Sequence, residues 1–311
     1  GSEMCIRDRI LYTAMIARFL FPLFSLLTYI NFSYAEILQS GRYEIMQSWS
    51  QEKNFNRTYW VKVPPTAKGK ALPLFIFLHG NGGNAEKSQG IARRYRNISD
   101  EYIMVFAQGY MNSWNIVSER SKAPDREFIE AIVTDLISYS NVRASGVTLM
   151  GSSNGAAMVN QIAIETRLDC FTHYITLVSQ LNNWQYDGAA FKAKGDQNNY
   201  TKTVLPLKGK FLMNVSGEDD KLVPYLGGAS TGIRAKEGKL HFVNAERSAF
   251  LWAKHYGFTG GQLEQPSEES SIYDTYSYMD GVVVHYKMNK RAHNAGGALT
   301  EAMLEDFLSQ K

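Results

Sequence analysis

Ser153 stands at the centre of Gly151-Ser152-Ser153-Asn154-Gly155, where its hydroxyl is a candidate nucleophile. The apolar run Val147-Thr148-Leu149-Met150 precedes the pentapeptide, and a helix-like run begins at Ala156. That is the strand, sharp turn and helix context in which a G-x-S-x-G serine is held exposed on a strained elbow. Gly151 allows strand and helix to cross closely, and Gly155 leaves room on the helix side. A serine hydroxyl is a weak nucleophile at neutral pH. It needs a base within hydrogen-bond reach, and the base needs a carboxylate to orient it.

In α/β-hydrolases the elbow serine is followed in the chain by the acid and then the histidine. The histidines after Ser153 are His173, His241, His255, His285 and His293. His173 precedes the next expected strand, at the wrong end of the sheet. His241 and His255 fall at or within a helical stretch. His285 lies inside the strand expected over 282–288 and reads as a core or surface histidine. His293 follows that strand in the loop 289–297, at the edge where Ser153 emerges, and is the expected base. The acid is expected in the loop after the apolar run 211–215, which carries Glu218, Asp219 and Asp220 side by side. Position in the loop does not separate Asp219 from Asp220. An oxyanion hole needs two backbone N–H groups. Asn154, next after the serine, is one candidate, and Asn81 in the glycine-rich loop His79–Gly83 is the other. No Gly-Lys-Ser/Thr follows that loop, so it is not a phosphate-binding loop.

The elements that must position these groups alternate along the chain. Residues 42–49 and 58–63 read as an antiparallel pair at a sheet edge. Buried strands are expected at 72–78, 103–107, 174–178 and 211–215, with further strands at 273–279 and 282–288. Helices are expected from Ala85 to about Asn97 and over 125–139, 246–256 and 298–308. Residues 108–124 and 182–205 read as long polar loops. The fold class is therefore α/β, a mostly parallel central sheet with helices on both faces. No repeat or linker follows Ala35, so residues 36–311 are expected to form a single catalytic domain.

Ahead of it, residues 1–35 read as a leader and signal peptide. Arg18 precedes an apolar run from Phe19 to Phe32, and Ser33-Tyr34-Ala35 offers small residues at both ends of a cleavage signature. Secretion or a periplasmic location is the expectation. The net charge of +3 is mixed along the 311 residues, without a basic stripe interleaved with aromatics, so nucleic acid is not an expected partner. The two cysteines, Cys5 and Cys170, form no metal-binding spacing, and no metal or cofactor is expected.

Taken together, Leu78-His79-Gly80-Asn81-Gly82-Gly83-Asn84-Ala85, Ser113-Trp114-Asn115, Gly151-Ser152-Ser153-Asn154-Gly155-Ala156 and Gly217-x-x-Asp220-x-x-Val223-Pro224-Tyr225 resemble the polyhydroxybutyrate depolymerase and feruloyl esterase-like group of secreted α/β-hydrolases. The resemblance runs from about Arg57 to Gly297. It implies an acid four residues before the proline of Val-Pro-Tyr, which is Asp220, and a histidine at His293. The chain departs from the group at Ser113, where a cysteine is frequent, at Ile116, where a second tryptophan is frequent, and after His293, where a Trp-Pro is frequent. Trp114, Asn115 and Trp184 are candidates for substrate contact on loops expected near the catalytic edge. No segment resembling a polymer-adhesion module is present, which favours soluble esters, oligomers or amorphous polymer. The implied activity is hydrolysis of hydroxyalkanoate esters or polyester oligomers through an acyl-enzyme. The alternative is a feruloyl or acetyl esterase acting on plant or algal polysaccharide.

Overall fold

Runs without a polar break, such as Leu74–Leu78 and Ile103–Ala107, are buried at every position, as strands covered on both faces must be. In the computed structural model, which describes residues 36–310, they are neighbours in a ten-stranded sheet. The expected leader and signal peptide lie outside the described residues. The strands are β1 (Gly41–Trp49), β2 (Glu52–Lys62), β3 (Leu74–Leu78), β4 (Ile103–Ala107), β5 (Val147–Ser152), β6 (Phe171–Leu177), β7 (Lys192–Ala193), β8 (Lys202–Thr203), β9 (Phe211–Gly217), β10 (Gly228–Arg234), β11 (Lys239–Phe242), β12 (Glu268–Glu269), β13 (Tyr273–Tyr278) and β14 (Val283–Met288). The helices are α1 (Ala85–Ser88), α2 (Gly90–Arg94), α3 (Arg96–Glu101), α4 (Asp125–Leu136), α5 (Asn154–Glu165), α6 (Ala245–Tyr256) and α7 (Glu301–Leu308).

The sheet order is β1-β2-β4-β3-β5-β6-β9-β14-β13-β12. From β4 through β14 every neighbouring pair is parallel. The flanks β1-β2-β4 and β14-β13-β12 are antiparallel. Alternate residues of one strand feed opposite cores. Leu74, Ile76 and Leu78 pack with Phe128 of α4, Ile162 of α5 and Trp252 of α6. Phe75 and Phe77 pack with Ala92 and Ile98 of α2 and α3 and with Leu304 of α7. Each such side chain contributes roughly 1.5–3 kcal/mol on leaving water. Because the central strands are parallel, their C-terminal ends share one edge. The loops holding Asn81, Ser153, Asp220 and His293 all leave from that edge.

Several boundaries differ from the sequence expectation. The helix expected from Ala85 is broken into α1, α2 and α3, with Tyr95 at φ −112°, ψ 77° between the last two. Tyr95 is buried and its hydroxyl donates to the Leu299 carbonyl, so tertiary anchoring overrides helix continuity there. His173 lies inside β6 rather than before it, and His241 lies on β11 rather than in a helix. Among the described residues no helix is long and apolar enough to cross a membrane.

Candidate active site

The turn from β5 into α5 places Ser153 at φ 53°, ψ −118°, a region that costs a non-glycine residue roughly 1–3 kcal/mol. Its N–H donates to the Leu177 carbonyl at 2.8 Å, which ties the strained residue to β6. The flanking glycines are obligatory by contact. A Cβ at Gly151 would fall 2.4 Å from the Gly155 carbonyl oxygen, and one at Gly155 would fall 2.3 Å from the Leu78 carbonyl oxygen.

From this elbow the Ser153 hydroxyl lies 2.8 Å from His293 Nε2, and His293 Nδ1 lies 2.7 Å from Asp220 Oδ2. Asp220 is buried, and its other oxygen accepts from the backbone N–H groups of Leu222 and Val223, both at 2.9 Å. The carboxylate is thereby fixed before it meets the imidazole. It accepts at Oδ2, so His293 Nδ1 carries the proton and Nε2 is free to accept from the serine. The two neighbouring carboxylates turn elsewhere. Glu218 accepts the Lys290 N–H and pairs with Lys287 at 3.0 Å, contacts that hold its carboxyl below the ordinary value. Asp219 is exposed, and its N–H donates to the Arg291 carbonyl at 2.8 Å. Of the three neighbouring carboxylates, Asp220 is the one that faces inward and meets His293.

Two backbone N–H groups converge on the same edge. Asn154 opens α5, where the first amides have no partner within the helix. In the preceding loop, Gly82 donates to the Asn112 carbonyl and Gly83 to the Gly80 carbonyl, while the Asn81 N–H has no partner among the described residues. Gly80 passes so near the elbow that a Cβ there would lie 3.5 Å from Ser153 Cβ.

Neither a protein-family model nor a curated protein sequence matches the chain. In structure it is similar to an acetyl xylan esterase from Aspergillus awamori, with a TM-score of 0.56 and 13% identity over 86% of this chain and 98% of that one. It is also similar to a thermostable esterase, with a TM-score of 0.52 and 13% identity over 86% of this chain and 63% of that one. The fold is that of an α/β-hydrolase. On this fold the elbow follows β5, the buried carboxylate follows β9 and the histidine follows β14.

Three of the other histidines are held by their surroundings. His285 is fully buried between Asn214 Oδ1 at 2.7 Å and the Tyr225 hydroxyl at 3.0 Å, and burial pushes it down to about 3. His173 stacks on Phe211 and is pushed by burial to about 4. His79 accepts the Gly109 N–H at Nε2 and meets the Gly80 carbonyl at Nδ1, and burial lowers its pKa. It shapes the loop that carries Asn81.

Two of the substrate-contact expectations, Trp114 and Asn115, need correction. Trp114 is 0% exposed, and its indole N–H donates to the His79 carbonyl at 2.8 Å. It offers no surface to a ligand. Asn115 is also buried. Its N–H donates to Asp125 Oδ2 at 2.6 Å and its side-chain oxygen accepts from Asn198. Asp125 in turn pairs with buried Arg57 at 2.6 Å, so this loop is pinned to β2 and α4. A sequence shows that a tryptophan follows a strand end, not which side of the loop it takes. Trp184 is half-buried against Tyr200 and hydrogen-bonds to none of Ser153, Asp220 or His293 among the described residues. One residue at this edge went unnoticed in the sequence. Glu119 accepts the N–H groups of Ile116 and Val117 and the Asn154 side-chain amide, and burial raises its pKa. Nothing in the polar run around it marks it.

Proposed function

We propose that this protein is a serine carboxylic ester hydrolase that works through an acyl-enzyme. The observation that carries the reading is the continuous chain from Ser153 through His293 to Asp220, with contacts of 2.8 and 2.7 Å, on a strained elbow. Ser153 Oγ attacks the ester carbonyl as its proton passes to His293 Nε2. The carbonyl oxygen becomes an oxyanion that accepts from the N–H groups of Asn154 and Asn81. Collapse expels the alkoxide, which takes the proton from His293. Water then repeats the sequence on the acyl-enzyme, giving the carboxylic acid and free Ser153. Asp220 orients the imidazole and stabilises the imidazolium.

For the substrate, the motifs from Leu78 to Tyr225 favour hydroxyalkanoate esters and their oligomers. The likeness in fold to an acetyl xylan esterase supports a second reading, removal of acetyl or feruloyl groups from polysaccharide. The signal-peptide pattern ahead of Glu36 supports export to the periplasm or medium as the setting.

Chromatography of products from 3-hydroxybutyrate oligomers, acetylated xylan and methyl ferulate, with Ser153→Ala as the blank, separates these readings. Hydroxybutyrate release abolished by the substitution supports the first, and acetate or ferulate alone supports the second. A folded protein that takes no serine-directed fluorophosphonate label at Ser153 defeats both.

A further inference from the structure

The side chain of Asn154 has every hydrogen-bonding position of its amide filled. Its oxygen accepts from the Trp114 N–H at 2.7 Å and from the Ser113 hydroxyl at 3.3 Å. Its nitrogen donates to the Trp114 carbonyl at 3.0 Å and to Glu119 Oε1 at 3.3 Å. An amide has two acceptor sites and two donors, so nothing is left over and the flip state is fixed. Aspartate would set an oxygen against the Trp114 carbonyl and Glu119, and glutamine is a methylene too long. The clasp therefore requires asparagine one residue after the nucleophile.

The same tryptophan reaches in the other direction. Its indole N–H donates to the His79 carbonyl, immediately before Gly80-Asn81. Two further contacts join that loop to the segment holding Trp114: Gly82 N–H to the Asn112 carbonyl at 2.8 Å, and Gly109 N–H to His79 Nε2 at 3.0 Å. The residue bearing one unpartnered N–H is thus gripped by the Trp114 backbone, and the loop bearing the other is gripped by its ring.

We infer that Trp114, clasped by the Asn154 side chain and backed by Glu119, is a positioning residue that sets the spacing between the Asn154 and Asn81 N–H groups. The inference rests on the ester-hydrolase reading and adds a defined role to residues that touch no substrate. An oxyanion hole acts by being fixed before charge develops, so a shift in spacing weakens transition-state binding more than substrate binding.

Two variants test this, each keeping both backbone N–H groups. Asn154→Asp opens the clasp, and Trp114→Phe removes the indole donor to His79 while leaving a small cavity in the core. Steady-state kinetics on a p-nitrophenyl ester should show kcat falling about ten- to a hundredfold with KM within about threefold. Inhibition by a trifluoromethyl ketone, which forms the tetrahedral oxyanion on Ser153, should weaken by the factor lost in kcat/KM, while product alcohol binds as before. Adding Glu119→Gln to Asn154→Asp puts a donor opposite the new carboxylate and should recover part of kcat. If Asn154→Asp fails to fold, Trp114→Phe decides alone. Unchanged kcat and ketone affinity in the variants that fold overturn the inference, as does a loss that falls equally on product binding. Wild-type labelling by fluorophosphonate separates this failure from a failure of the hydrolase reading, since labelled wild type with unaffected variants rejects only the spacing role.

Discussion

Replacing Gly217 with alanine should disable the site from behind without touching a reacting group. Gly217 ends β9, and a Cβ there would lie 2.3 Å from the Arg291 carbonyl oxygen and 2.4 Å from that of Ala292. Ordinary contact begins near about 3.5 Å, so one of the two backbones must yield by roughly 1 Å. β9 is paired on both sides, with β6 and β14, and is the stiffer partner. The segment that moves is therefore Arg291–Ala292, which leads directly into His293. With Nε2 2.8 Å from Ser153 and Nδ1 2.7 Å from Asp220, a displacement of that size breaks at least one contact. Misplacement of about 1 Å costs on the order of a hundredfold in rate. Crowding a packed position costs about 1–3 kcal/mol of stability. The expected outcome is kcat on a p-nitrophenyl ester reduced about a hundredfold with KM little changed, in a protein that still melts cooperatively a few degrees lower. A variant that keeps kcat within about threefold of wild type would refute the claim that this close approach sets the histidine.

Asp220→Asn keeps the shape but reverses the hydrogen bond to His293 Nδ1, and kcat should fall by about 10³–10⁴, measured on the same ester. Arg57→Met leaves Asp125 buried without its partner and should cost about 3–5 kcal/mol in urea unfolding, with the loop carrying Asn115 loosened. His285 and His173 are held by burial at about 3 and about 4, below their ordinary value, so the unfolded chain binds protons that the folded one refuses. Stability should therefore fall as pH drops from about 6.5 toward 4, by up to about 1.4 kcal/mol per pH unit for each histidine. His285→Gln should flatten that slope in denaturant titrations at several pH values, and an unchanged slope would count against the assignment.

What was legible in the sequence was what local chemistry dictates. Unbroken apolar runs announced β3 and β4, and the glycines around Ser153 announced the elbow because no other residue permits the crossing. His293 could be chosen because loops after parallel strands share an edge with the serine. Less was legible where a side chain's direction decides the role. Trp114 and Asn115 read as cleft residues, yet both turn inward, since the Asn154 amide and Asp125 bind their backbone N–H groups from the core side. The hairpin of β10 and β11 was not foreseen, because Gly228–Arg234 is mostly exposed and lacks an apolar alternation. Glu119 could not be found, since only the fold brings Asn154 to it.

The loop after β4 also bears on how this scaffold can diversify. Loops at the C-terminal edge of such a sheet are where new specificities are commonly introduced, because they tolerate change. Here the segment from Gln108 to Asn115 is bolted to the elbow, to the loop before α1 and to Arg57 through Asp125. Randomising it would sacrifice the scaffold before altering selectivity. Within the 182–205 excursion Asn198 and Tyr200 are tied to that same loop, so libraries aimed at new esters belong at Asn183, Asp187, Gly188 and Leu205, which are exposed and carry none of those bolts.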